Sequence, residues 1–381
     1  MECYKCEAPL TKENKSIEHI IPNGIGGKLK SKSLLCKKCN RAFGDTYDAE
    51  FCKKLNTMGA LLMIKRERNS NPKIKNVKSD SGELYNLVDG IHPEPIKPDI
   101  DVNEEENTIH IGARDEKELR HIIQQLKKKY PTLDDQSLEK KMIRSKYYLN
   151  EALHLNLSVG GNGFMKAVLK IAINFYIFKT KRKDDVVDAI AKLESLDELS
   201  NDLIHHYYTE DSTNYSDGGE VSHTIHIFGN SEKKLLYAFV EIFSSFAFIV
   251  NLNTNYIGDN ISYTYCYDVL TKKEIKKEIN LSYEGSLKGD LALLNQEFIA
   301  RIQKKVSRVM AIADKRQINL VISNITRTAS KEYFKSIPMG TIITEEMVNG
   351  YFNRVAKDAA PFIYHLQNRR AKKDSENSKD V

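Results

Sequence analysis

The chain has 381 residues, 41% of them hydrophobic and 29% charged, with a net charge of +6. That length points to two or three domains, and that balance excludes disordered, collagen-like and disulfide-scaffold classes. No run reaches the ~18 apolar residues of a membrane span, and the opening MECYKCEAPL lacks the apolar core of a secretion signal, so a cytoplasmic protein with no membrane partner is expected.

The basic excess is local. Residues 1–70 hold 14 Lys/Arg against 8 Asp/Glu, and the remainder balances. A small basic module on a neutral body suits a polyanionic partner, although a solvated basic face would look the same. Four of the six cysteines in the chain form two C-x-x-C pairs here, Cys3/Cys6 and Cys36/Cys39. Two such knuckles without a signal peptide read as a four-cysteine zinc site rather than as disulfides or a redox pair. Cys52 and Cys266 read as buried structural thiols. Phe51, Leu55, Met58 and Leu62 fall at helical spacing and predict a helix within 46–68.

Residues 71–105 are rich in Pro, Lys, Asn and Ser and read as a linker. Residues 106–285 read as a mixed α/β body. Strand-turn-helix units are expected at 106–130, 152–179 and 223–246, followed by three strands. Thr108-Ile-His-Ile and Thr224-Ile-His-Ile, each followed at equal spacing by Glu-Lys-x-Leu, could be a weak duplication or chance. Gly160-Gly161-Asn162-Gly163 reads as a tight turn in preference to an anion cradle. His205, His206, His223 and His226 read as surface or strand-edge histidines, and Tyr256, Tyr263, Tyr265 and Tyr267 as sheet packing. Residues 286–381 read as mostly helical, with an interruption near Pro361.

Between the cysteine pairs lies Glu18-His19-Ile-Ile-Pro22-Asn-Gly-Ile-Gly26-Gly27, and Asn40 follows Cys39. An imidazole accepts a proton from water near neutral pH. A carboxylate and an amide oxygen are hard ligands suited to Mg²⁺ or Mn²⁺. The glycine pair lets the chain turn sharply. Lys28, Lys30, Lys32, Lys37, Lys38 and Arg41 surround this segment and suit phosphate contacts without base reading.

The pattern C-x-x-C…E-H-I-I-P…G-G…C-x-x-C-N…G…D resembles the zinc-bound HNH endonuclease family over about residues 1–55. The resemblance implies a ββα-metal fold in which His19 is the general base for phosphodiester hydrolysis. It implies that Glu18 and Asn40 hold a catalytic Mg²⁺ or Mn²⁺ beside the structural Zn²⁺. Asp48 matches a carboxylate often found after the C-N-x-x-x-G segment. The middle Asn of many relatives is replaced, nine positions before Asn40, by Ser31, which leaves the bracing of the His19 loop unassigned.

The expected fold class is therefore mixed α+β. A zinc-stapled HNH domain (1–70) precedes a linker (71–105), a sensing or partner-binding domain (106–285) and a helical C-terminal region (286–381). The layout resembles bacterial HNH effectors of anti-phage defence. It implies a DNA substrate, with RNA open, and a body that senses a nucleotide or docks a partner such as a short Argonaute; a homo-oligomer is compatible. The alternative is a non-catalytic zinc knuckle that only binds nucleic acid or scaffolds a partner.

Overall fold

β-branched and aromatic residues concentrate between 222 and 268, and there the chain doubles back three times. In the computed structural model β10 (Ser222–Asn230), β11 (Leu235–Ile242), β12 (Phe246–Asn253) and β13 (Ile261–Asp268) form the centre of a six-stranded antiparallel sheet. β9 (Ile204–His206) and β14 (Lys273–Glu274) are its edges, in the order β14-β13-β10-β11-β12-β9. The described residues are 1–66, 73–90, 92–103, 105, 108–113, 115–131, 148–208, 219–279, 281, 283 and 296–377. The start of the helical region expected at 286 lies outside them.

The chain divides into two compact units. Unit 1 comprises Met1–Lys73 and Asn156–Asp314; unit 2 comprises Ile74–Leu155 and Lys315–Val381. Over the described residues the architecture is mixed α+β: a cysteine-clustered N-terminal region, a sheet-rich middle and long C-terminal helices.

In unit 1 both faces are covered at the middle of the sheet, so β11 and β12 are mostly apolar and buried, whereas β10 carries buried polar residues and the first half of β13 alternates with exposed Ser262 and Thr264. Helix α5 (Asn162–Thr180) covers one face, with Phe164 against Phe248 at 5.8 Å. The shorter α6 (Val187–Glu194) packs against α5 and β12. The other face carries Tyr207, Tyr208, Tyr237, Phe239, Ile249 and Tyr283, with Phe298 and Ile302 of α7 (Gln296–Tyr333) packed on them. The N-terminal segment contributes a hairpin of β1 (Glu18–His19) and β2 (Lys30–Ser31), then α1 (Lys37–Phe43), α2 (Ala49–Lys54) and α3 (Asn56–Leu61). The expected helix over 46–68 is thus two short helices broken at Leu55, while Phe51, Leu55, Met58 and Leu62 are all fully buried.

In unit 2 the stretch expected to be a linker carries strands: β3 (Ile74–Ser79), β4 (Leu84–Val88), β5 (His92–Pro95) and β6 (Asp99–Asn103). Two of the prolines that suggested a connector, Pro93 and Pro95, sit on β5, an edge strand, where a missing N–H need cost no ladder bond. β8 (Leu153–His154) completes a β5-β4-β3-β8 sheet, and β7 (Thr108–Gly112) pairs with β6. β7 leads into α4 (Glu116–Lys129), capped by Asp115, as expected. After β10, however, Leu235–Ile242 is a strand and not the expected helix. An eight-residue apolar run satisfies either period, and pairing with β10 and β12 decides it. The two TIHI segments therefore lead into different structures. Pro361 lies inside α8 (Glu345–Asn377), which continues past it. No described helix is long and apolar enough to cross a membrane.

Candidate functional site

The cysteines converge first. Cys3, Cys6, Cys36 and Cys39 place their sulfurs within 4.8 Å of one another. Cys6 Sγ and Cys36 Sγ are 3.8 Å apart, the edge of a tetrahedron with Zn–S bonds of about 2.3 Å. Cys36 caps α1 and accepts the Cys39 N–H. Burial works against ionising Cys36, but these donors pull its thiol down to about 7, while burial pushes Cys39 up. Crowded thiols of this kind fit a structural zinc that would take all four as thiolates.

The cysteines bring α1 beside the β1–β2 hairpin, where Glu18 pairs with Ser31 and His19 with Lys30. The chain after His19 forms a short 3-10 turn, Asn23–Ile25, closed by Gly26 in the left-handed region at φ 95°. At Gly27 a Cβ would lie 2.0 Å from the Ile21 carbonyl oxygen, so the glycine pair is sterically required.

Glu18, His19, Asn40 and Asp48 line one cleft of about 280 Å³ within unit 1, together with Asn23 and Cys52. Asn40 Nδ2 donates to Ser16 Oγ at 2.6 Å and to the Ile17 carbonyl at 3.3 Å. That anchors the lead-in to β1 and leaves the amide oxygen as what Asn40 offers the cleft. Asp48 ends a π-helical turn, Gly44–Asp48, between α1 and α2. Its Oδ1 is buried with no hydrogen-bond partner among the described residues. Two carboxylates, one of them with an orphaned oxygen, and an amide oxygen are a hard-oxygen donor set that fits a divalent cation. Cys52 is a structural thiol pushed up to about 12 by burial, its sulfur packed on Gly24. Cys266 is buried beside Thr224 Oγ1.

Two residues that bond to the carboxylates of this cleft were not foreseen. Lys170 of α5 is 2% exposed, with Nζ 2.6 Å from Glu18 Oε1 and 2.6 Å from Asp48 Oδ2. Asn174 Nδ2 donates to the same Glu18 oxygen at 3.0 Å. Burial raises the Glu18 carboxyl against the opposing pull of Lys170. Burial disfavours charge on Lys170, but Asp48 and Glu18 outweigh it and its ammonium is held above the usual lysine range. The signal was present in the sequence: Lys166, Lys170 and Asn174 recur every four residues in an otherwise apolar helix, which sets them on one face.

The bracing left open by Ser31 also has an answer in unit 1. Ser31 bonds to Ser33, 3.0 Å away. His223 on β10 instead holds the loop after His19: its Nε2 donates to the Ile25 carbonyl at 2.9 Å, and its Nδ1 accepts the Phe243 N–H at 3.1 Å. His223→Leu strands both partners and is expected to lower stability by about 2 kcal/mol, read as a shift in urea midpoint. An unchanged midpoint would remove His223 from this role.

Of the four histidines expected at the surface or a strand edge, His205 and His206 lie on the edge strand β9, whereas His223 and His226 lie inside the sheet on β10. His205, His223 and His226 are buried and His206 half-buried, because the covered sheet leaves no outward face for them. The basic residues stand apart from the cleft lining. Lys30, Lys32, Lys37, Lys38 and Arg41 are exposed and Lys28 is half-buried. Arg41 meets Asp45 at 3.5 Å in an exposed pair. At Gly160–Gly163 the start of α5 is met by the chain's own side chains: Lys54 bonds the Gly160 carbonyl, and the Glu50 carboxylate lies so close to Gly163 that a Cβ there would clash. That agrees with a turn and not with a ligand cradle.

Residues 3–56 match the family model described as HNH endonuclease. The match spans the cysteine cluster and every residue that lines the cleft, and leaves out Lys170 and Asn174, which bond to its carboxylates. It implies a phosphodiester hydrolase acting on nucleic acid. No curated protein and no solved structure matches the chain.

Proposed function

We propose that this protein is a metal-dependent DNA endonuclease whose site is the cleft of unit 1. The reading rests on one observation: Glu18, His19, Asn40 and Asp48 converge on a single cleft inside the segment that matches the HNH endonuclease model. His19 is the general base. It removes a proton from the water whose oxygen attacks the scissile phosphorus. The bond to the leaving oxygen then breaks, and that oxygen takes up a proton. Glu18, Asp48 and Asn40 would hold Mg²⁺ or Mn²⁺, which when bound supplies positive charge at the phosphate and the leaving oxygen. The cysteine cluster takes no part in this chemistry and holds the hairpin to α1. The exposed lysines and Arg41 meet the phosphate backbone irrespective of sequence.

We assign the rest of the chain a regulatory role, as in a nuclease effector of anti-phage defence that is held in check until a nucleotide or a protein partner engages it. What supports this is economy: the matched segment is a small part of the chain, and an unregulated nonspecific nuclease injures its host.

His19→Ala is expected to lower plasmid cleavage with Mg²⁺ or Mn²⁺ by about 10² to 10⁴-fold, the usual worth of a general base, with zinc content unchanged. Equal cleavage by wild type and variant would remove His19 from the chemistry. Silence from both, with candidate nucleotides and copurifying proteins added back, would favour an inert knuckle.

A further inference from the structure

The matched segment supplies the cleft, but helix α5, more than a hundred residues further along the chain, holds its carboxylates. Lys170 bonds Glu18 Oε1 and Asp48 Oδ2, and Asn174 bonds Glu18 Oε1 again. Each carboxylate is therefore gripped by one oxygen only. Asp48 Oδ1 is left buried without a partner among the described residues, at the wall of the cleft.

For the fold alone this is an expensive arrangement. Lys170 and Asn174 are almost fully buried, with Lys166 on the same face, in a helix whose other buried residues are mostly Phe, Val, Leu, Ile and Ala. Burying an ammonium with two carboxylates incurs a desolvation cost that apolar packing would avoid. The same arrangement is useful to a metal site. Groups behind metal ligands fix ligand orientation and tune the charge the ion meets. Here one ammonium offsets one of two negative charges, and two directed bonds fix the Glu18 carboxylate plane.

We propose that Lys170 and Asn174 are positioning residues of the nuclease site, orienting Glu18 and Asp48 so that the remaining oxygen of each is presented to the divalent cation. This rests on the metal-dependent nuclease reading above. It makes residues 1–70 insufficient as a nuclease, because the orientation of Glu18 and Asp48 is set by residues 170 and 174.

The test uses the full chain as wild type, Asn174→Leu, Lys170→Met and Glu18→Gln. Mn²⁺ binding is read by the paramagnetic resonance signal of free Mn²⁺. Plasmid cleavage is followed against Mn²⁺ concentration, with zinc content and thermal midpoint in parallel. Asn174→Leu keeps size and removes one donor. It is expected to weaken Mn²⁺ binding about tenfold, the low end for such supporting residues. The Mn²⁺ needed for half-maximal cleavage rises to match, while the KM for DNA and the thermal midpoint stay near wild type. Lys170→Met is expected to lower kcat by roughly a hundredfold. Glu18→Gln must lose the ion, which locates it.

Wild-type Mn²⁺ dependence in Asn174→Leu overturns the proposal, as does tighter Mn²⁺ binding in Lys170→Met, which would mean that the ammonium stands in the cation's own place. If Lys170→Met does not fold, Asn174→Leu decides alone. A wild type that binds Mn²⁺ through Glu18 but cuts no DNA even with candidate nucleotides and copurifying proteins added back defeats the nuclease reading, and the Mn²⁺ affinity of Asn174→Leu still decides the positioning role. A wild type that binds no Mn²⁺ defeats both.

Discussion

Cys39→Ser is expected to strip the chain of zinc and to unfold the N-terminal segment while the six-stranded sheet persists. The four sulfurs tie three separate pieces together: the opening knuckle at Cys3 and Cys6, the lead-in to α1 at Cys36, and α1 itself at Cys39. Each of these pieces is too short to be stable alone; β1 and β2 have two residues each. Structural zinc sites are worth on the order of 10–16 kcal/mol in small domains, as much as the whole stability of a typical protein. β11 and β12 of the sheet, in contrast, are buried almost along their whole length, in a core that the cysteine cluster does not join. Hydrogen exchange should therefore lose protection over residues 18–43 and keep it over 235–252. Cleavage should vanish too, although zinc does no chemistry, because Glu18 and His19 ride on the hairpin that the metal secures. Retained protection at Ile20, Leu34 and Leu35 in zinc-free protein would show that packing on α5 suffices.

A second large effect is expected in mild acid. Burial holds His205, His206, His223 and His226 down at about 4, against 6.5 when unfolded. The sign follows from which state binds the proton. Above pH 6.5 both states are neutral at these sites and their contribution to stability is complete. As pH falls from 6.5 towards 4 the unfolded chain takes up protons that the folded chain refuses, so stability falls. At about 1.4 kcal/mol per unit, each histidine forfeits roughly 3 kcal/mol by pH 4. Four of them together rival the entire margin of a typical domain, about 5–15 kcal/mol. The thermal midpoint at fixed ionic strength should drop steeply between pH 6.5 and 4.5. His226→Gln, whose amide can replace the bond to Thr264 Oγ1, should make the slope shallower by about one proton. Zinc release must be followed in the same samples, since protonation of the thiolates acts in the same direction. A midpoint flat to pH 4.5 would show that these imidazoles ionise freely in the fold.

What could be read from the sequence was what is local. Both C-x-x-C knuckles, the Glu18-His19 pair, the glycine turn and Asn40 fall within forty residues, and each carries its own chemistry. They come together because the spacing leaves little choice. The clamp could not be read in this way. Asn174 and Glu18 are 156 positions apart, and Lys170 and Asp48 are 122. The four-residue recurrence on α5 marks a buried polar face but does not name its partner. The histidines of HTIHI were misplaced for a related reason. Alternation of polar and apolar residues implies an open face only if nothing covers it, and in unit 1 both faces are covered at the middle of the sheet. Leu235–Ile242 shows the limit of periodicity itself, since a fully buried strand and a buried helix have the same composition over eight residues. At 74–103 the prolines argued against strands because an edge strand is defined by its neighbours, which sequence does not display.

The distance in sequence between the cleft and its clamp also has a meaning in time. Ribosomes add roughly 5–20 residues per second, so the 156 positions between Glu18 and Asn174 take on the order of ten to thirty seconds to make. For most of that interval, once residue 39 has been added, the growing chain carries His19 and the four clustered cysteines, while the side chains proposed to orient Glu18 and Asp48 do not yet exist. A polypeptide released early by a truncated message would carry the recognisable motif and lack the clamp. On the proposed role of Lys170 and Asn174, only a chain that has passed residue 174 has everything its cleft requires.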